Sequence, residues 1–120
     1  MKKKILLVDD ETEFSEMVKM RLEANGYEVA TAESGEIGLA KAGAWNPNLI
    51  LLDVMMPGMD GFQVLRKLRE ARGTKYTPVV MLTAKGETKS IFKAQDYGVA
   101  DYLIKPCDSR DLLEVVKKHA

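Results

Sequence analysis

Five short apolar or β-branched runs, Ile5 to Val8, Tyr27 to Ala32, Leu49 to Leu52, Val79 to Thr83 and Tyr102 to Ile104, alternate along the chain with segments of helical spacing. This alternation restricts the fold more than any other feature. The runs are apolar at successive positions rather than at every second one, so a sheet built from them must be covered on both faces. Strand and helix in strict succession then predict a doubly wound α/β domain, a five-stranded parallel sheet with helices on both sides. A length of 120 residues suits one such domain, spanning residues 1–120, and not two.

The helical segments carry their own start and stop signals. Phe14, Met17, Val18 and Leu22 share one face of the first, which stops at Asn25-Gly26. Ser34 is a good N-cap for the second. The third begins at Asp60, where Gln63 three residues later makes a capping-box pattern, and runs through Leu65 and Leu68 to Gly73. A fourth is expected from Glu87 to Tyr97, before Gly98, and the last from Asp108 or Ser109 through Leu112, Leu113 and Val116.

Charge narrows the choice of partners. Eighteen basic and eighteen acidic residues balance, so no net field points to nucleic acid or to an acidic membrane. The apolar runs are far shorter than the roughly 20 residues of a membrane span, and the MKKK start leads into only four apolar residues before Asp9, too few for a signal peptide. The single cysteine, Cys107, cannot form an internal disulfide, which fits a reducing, cytoplasmic setting.

Doubly wound sheets place their sites at the carboxyl ends of the strands, most sharply where the strand order reverses. In this chain those ends carry Asp9 and Asp10 after the first run, Asp53 after the third, Thr83 at the end of the fourth and Lys105 after the fifth. If the first and third strands are neighbours, three carboxylates converge, and like charges so close demand a proton or a cation. A hard divalent ion with oxygen ligands, Mg²⁺ above all, answers that demand. Lys105 adds a compact positive charge and Thr83 a hydroxyl donor. Acids, a metal, a lysine and a threonine together suit phosphoryl transfer, where catalysis is chiefly positioning and charge neutralisation.

Four stretches, VDDE at 8–11, LLDVMMPGMDG at 51–61, LTA at 82–84 and KP at 105–106, resemble the receiver domain of two-component response regulators, in order and over essentially the whole chain. The resemblance implies the strand order 2-1-3-4-5 of flavodoxin-like and CheY-like sheets. It implies that Asp53 is the phosphoacceptor, taking its phosphoryl group from a sensor histidine kinase or a histidine phosphotransfer protein. Asp10 and Asp53 would hold Mg²⁺, or Mn²⁺, with the backbone carbonyl of Met55, while Asp9 assists through water. Thr83 and Lys105 would contact the phosphoryl oxygens, and the Lys105-Pro106 bond would be cis. Thr83 and the aromatic Tyr102 would form the switch, changing the surface of the fourth helix, fifth strand and fifth helix that a downstream effector reads. In many relatives that face also forms homodimers. Met55 and Lys85 occupy the positions that tune the lifetime of the phosphoryl group, and neither side chain orients water well, so slow self-dephosphorylation is expected. By the same resemblance the chain is a signalling phosphoacceptor rather than an enzyme with a separate substrate.

Each residue also has a plainer structural reading. Asp9 or Asp10 alone could be a helix N-cap, Lys105 a solvated charge, Thr83 a strand-ending β-branched residue and Tyr102 core packing with its hydroxyl wet. Trp45 is expected to close the second helix against the sheet, and Met55, Met56 and Met59 to serve loop and core packing. Cys107 stands where the family often has Phe and should be packed, His119 is expected at a frayed end, and Ile91, beside Phe92, as an exposed contact on the switch surface. Two other classes share parts of the pattern. A flavodoxin-like binding module would need a phosphate-cradling loop of Gly, Ser and Thr where this chain has VDDE. A phosphatase of the haloacid dehalogenase type would need a second Asp two residues after the first, where Met55 follows Asp53 and Glu11 follows Asp9. The ending Lys117-Lys118-His119-Ala120 suits either a stand-alone regulator or a receiver cut from a longer protein.

Overall fold

The computed structural model describes residues 1–84 and 98–120. The expected fourth helix, with Lys85, Ile91 and Phe92, lies outside the described residues. Five strands, β1 (Lys4–Val8), β2 (Glu28–Ala32), β3 (Leu49–Asp53), β4 (Val79–Ala84) and β5 (Asp101–Lys105), form one all-parallel sheet in the order β2-β1-β3-β4-β5. The described helices are α1 (Thr12–Ala24), α2 (Gly35–Trp45), α3 (Gly61–Glu70) and α4 (Ser109–His119).

Successive strand residues point to opposite faces, and here both faces are buried. Leu6, Val8, Ile50, Leu52, Val79 and Met81 pack with Ala42 of α2 and Val64, Leu65 and Leu68 of α3. Ile5, Leu7, Leu49, Leu51, Val80, Leu82 and Leu103 pack with Val18 and Leu22 of α1 and Leu112 and Val116 of α4. Phe14 and Met17 lie against this second core, as their spacing predicts, and Trp45 lies against the first, as expected for the residue that closes the second helix.

The helix signals act through visible hydrogen bonds. Ser34 Oγ accepts from the Ile37 amide at 3.2 Å. Asp60 Oδ1 accepts from the Gln63 amide at 3.0 Å while Gln63 Oε1 accepts from the Asp60 amide at 2.9 Å, the reciprocal capping box. Asp108 caps α4 by accepting from the Asp111 amide at 2.8 Å.

Several element ends differ from the sequence reading. The strands run further at the carboxyl edge, so that Asp53 and Lys105 end strands rather than follow them. Pairing of Asp53 with Leu82 and of Ala84 with Lys105 extends the ladder to those residues. Helix α3 stops at Glu70 rather than continuing to Gly73, because Arg69 turns its guanidinium onto the carbonyls of Thr74, Lys75 and Thr77, and Thr74 Oγ1 donates to the Leu68 carbonyl at 2.8 Å. His119 is not frayed. It ends α4 with Nε2 2.9 Å from Asp101 Oδ2, tying the helix to the start of β5.

Candidate functional site

The site begins with sheet register. Strands β1 and β3 are neighbours in the centre of the sheet, with Val8 paired to Leu52, so the next residues of both strands emerge side by side. Asp9 and Asp53 are 1% and 5% exposed, whereas Asp10 faces solvent. One carboxylate oxygen from each of Asp9, Asp10 and Asp53 lies within 4.8 Å of the others. The plain reading of Asp9 as an ordinary cap does not hold. The N-cap of α1 is Glu11, which makes no side-chain cap bond, and Asp9 Oδ1 accepts from the Glu11 amide at 2.9 Å.

Burial sets the acid's proton affinity. The Asp53 carboxyl is pushed up from 3.8 to about 7, first by burial and then by the charge of Asp9, with Lys105 and the Met55 amide acting in the opposite direction. That amide donates to Asp53 Oδ1 at 3.3 Å. An all-oxygen set of three acids, two of them buried and one exposed, whose mutual repulsion Lys105 only partly offsets, is the chemistry a hard divalent ion fits.

Lys105 crosses from β5 to this cluster. Its Nζ lies 2.8 Å from Asp9 Oδ2, 2.6 Å from Glu11 Oε1 and 3.7 Å from Asp53 Oδ2. It also sits 4.5 Å from the centre of the Phe14 ring. Burial alone would lower the pKa of this ammonium, but its hydrogen bonds to Asp9 and Glu11 and the charge of Asp53 outweigh that and raise it. The Lys105-Pro106 peptide is cis.

Thr83 is 2% exposed and stands one position beyond Leu82, the partner of Asp53; its Oγ1 donates to the Ala84 carbonyl at 3.4 Å. Strand alternation puts Thr83, Tyr102 and Ile104 on one face, since Met81 pairs with Tyr102 and Thr83 with Ile104. Tyr102 is half-buried against the first core, and Ile104 is 52% exposed. Met55 is 62% exposed at the rim, while Met56 is buried and Met59 packs against the core.

The loop from Asp53 to α3 is shaped by two glycines. Gly58 adopts φ +76°, a backbone that other residues rarely take. At Gly61 a Cβ would overlap the backbone carbonyl of Asp53 and lie 2.8 Å from the Val54 Cα, so only glycine lets α3 start against the strand end. The Gly61 amide donates to the Val54 carbonyl at 2.9 Å, fixing that approach.

Comparison with known proteins agrees with this arrangement. The family model described as the response regulator receiver domain matches residues 5–117.

The chain belongs to the response regulator receiver domain family.

It is 44% identical over 114 residues to the transcriptional regulatory protein ResD of Bacillus subtilis, covering 95% of this chain and 46% of that protein. It is 42% identical over 117 residues to the alkaline phosphatase synthesis transcriptional regulatory protein PhoP of the same organism, covering 98% of this chain and 48% of the relative. The chain thus spans about half the length of the curated relatives it matches. Among solved structures it superposes on the chemotaxis protein CheY4 of Vibrio cholerae with a TM-score of 0.94 at 33% identity, covering 100% of both chains. It superposes on the receiver domain of NtrX from Brucella abortus with a TM-score of 0.89 at 29% identity, covering 96% of each. These matches favour neither a flavodoxin-like binding module nor an Asp-nucleophile phosphatase. A receiver domain of this family is a signalling module.

The structure brings Asp9, Asp10, Asp53 and Lys105 together and sets Thr83 on the neighbouring strand end. Two neighbours of the site have no role assigned from the sequence: Glu11, which enters only as the last residue of VDDE and as a mismatch to a phosphatase motif, and Phe14, which enters only as a core residue. Their spacing of three residues on the first turn of α1 was the available signal.

Proposed function

We propose that Asp53 accepts a phosphoryl group from a phosphohistidine of a sensor histidine kinase or histidine phosphotransfer protein. A carboxylate oxygen of Asp53 forms the new P–O bond as the P–N bond breaks; its electron pair leaves on the imidazole nitrogen, which takes a proton from water. The observation that carries this reading is the buried Asp53 within reach of two further carboxylates and a lysine at the carboxyl edge of the sheet.

Mg²⁺, or Mn²⁺ in its place, is the cofactor we assign; Asp10, Asp53 and the Met55 carbonyl would hold it, with Asp9 assisting through water. When bound, it neutralises charge between the acids and the incoming phosphoryl oxygens. Lys105 and the Thr83 hydroxyl contact those oxygens, and the chain catalyses only its own phosphorylation and dephosphorylation. Phosphorylation adds about −1.5 to −2 charge and three acceptor oxygens. Thr83 moves toward them, Tyr102 turns inward, and the surface around β5 and α4 changes for an effector or a second copy of the chain. Met55 and Lys85 set the lifetime of the acyl phosphate. Residues 1–120 act as a single receiver domain without direct nucleic-acid contact, in the cytoplasm; no described helix is long and apolar enough to cross a membrane.

The test is transfer from an autophosphorylated sensor kinase to this chain with Mg²⁺ and with a chelator. Transfer that needs the divalent ion is expected. Equal transfer in excess chelator would remove the metal from the proposal.

A further inference from the structure

Lys105 is hydrogen-bonded to two carboxylates and lies at ion-pair distance from a third, Asp53; of the two that it hydrogen-bonds, only Asp9 belongs to the acid cluster described above. The other, Glu11, sits at the N-cap of α1 with its side chain 62% exposed, and its Oε1 makes the shorter contact to Nζ, 2.6 Å against 2.8 Å for Asp9 and 3.7 Å for Asp53. Phe14, three residues on, presents its ring 4.5 Å from the same ammonium. Glu11 has no capping bond to explain its orientation. Among the described residues, the groups that face Nζ are Asp9 and Glu11 at the β1–α1 junction, Phe14 of α1 and Asp53 of β3.

We infer that Glu11 is a positioning residue that holds Lys105 at 3.7 Å from Asp53, short of hydrogen-bond distance, in the unphosphorylated protein and so restrains phosphorylation. This rests on Asp53 being the phosphoacceptor. For Lys105 to meet a phosphoryl oxygen, its ammonium must exchange the Glu11 contact for the new anion, and the Glu11 contact is made only before that exchange. The Asp9 contact survives in either position, so loss of Glu11 leaves Lys105 tethered and the fold unaltered. Glu11 thus opposes the approach of Lys105 to the reacting centre without touching that centre. An ion pair with one exposed partner is worth little in stability, but the same amount applied to a rate is measurable: a factor of about two to five.

The experiment measures the initial rate of acyl-phosphate formation with acetyl phosphate and Mg²⁺, read by phosphate-affinity electrophoresis, for the parent protein, Glu11→Gln, Lys105→Ala and the double variant, with Asp53→Asn as control. Glu11→Gln is expected to react about two to five times faster than the parent, and to change nothing in the Lys105→Ala background, which a purely structural role would not produce. A Glu11→Gln rate equal to or below the parent's overturns the inference. So does equal acceleration in both backgrounds, since Glu11 would then act on the donor by through-space repulsion rather than through Lys105. Undiminished labelling of Asp53→Asn would instead overturn the phosphoacceptor reading, so the two failures are distinguishable.

Discussion

Asp53 carries its charge at a cost that depends on pH. Its ordinary pKa of 3.8 rises to about 7 in the folded chain, chiefly through burial. A carboxyl whose folded pKa lies above its unfolded value binds its proton more tightly when folded. Its contribution therefore favours folding most below about pH 4 and is lost progressively as pH rises through 7. Without divalent ions, Asp53→Asn is expected to be more stable than the parent at pH 8, by on the order of 2–4 kcal/mol, and the gap to shrink toward pH 5. Urea unfolding of both proteins across that range checks this; a gap independent of pH would show that the Asp53 charge is already neutralised by Lys105. Met55, exposed at the rim of the site, belongs to the same scale. An amide there can orient water toward the acyl phosphate where a thioether cannot, so Met55→Asn should shorten the phosphoryl lifetime, read as label decay after the donor is removed. An unchanged decay rate would count against that role. At this scale the sequence was legible where a polar residue interrupts an apolar run, as at Asp9, Asp10 and Asp53. Glu11 was not, because its bond to Lys105 spans 94 residues and exists only once β5 has been brought to the cluster.

The elements deliver these side chains, and they do so with little freedom. Strand β3 is wholly buried and ends at Asp53, and α3 begins at Gly61 against the backbone that follows it. Gly61→Ala forces a Cβ into the Asp53 carbonyl and the Val54 backbone, so the helix or the strand end must shift. A loss of about 1–3 kcal/mol in stability is expected, together with weaker Mg²⁺ binding in calorimetry; a variant with parental stability and Mg²⁺ affinity would show that the junction is not tight. Helix starts were legible because their signals are local: Ser34, the Asp60–Gln63 box and Asp108 all make the bonds their spacing predicts. The end of α3 was not, since Arg69 reaches forward to three carbonyls and Thr74 back to Leu68, a turn held by side chains rather than by a Gly or Pro signal. Strand ends were short by a residue for a related reason, because pairing rather than hydrophobicity decides where Asp53 and Lys105 belong.

Across the whole molecule, the alternating pattern predicts the layers, but not the order of strands that are equally apolar on both faces. That order came from resemblance, and the pairing of β1 with β3 makes the convergence of acids a consequence of it. The sheet then separates two functions in space. Its carboxyl edge holds the acids, Lys105 and Thr83, while Thr83, Tyr102 and Ile104 line up along one face from that edge toward the surface. On the proposed reading, this shared face is the route by which a charge added at Asp53 would be read on β5. The most direct measurement is labelling with acetyl phosphate and Mg²⁺, followed by mass mapping of the acyl phosphate in the parent and in Asp53→Asn. The account predicts one phosphoryl group on the peptide containing Asp53, and none on the folded variant. Equal labelling of the variant, or a phosphoryl group mapped elsewhere in the parent, would contradict it.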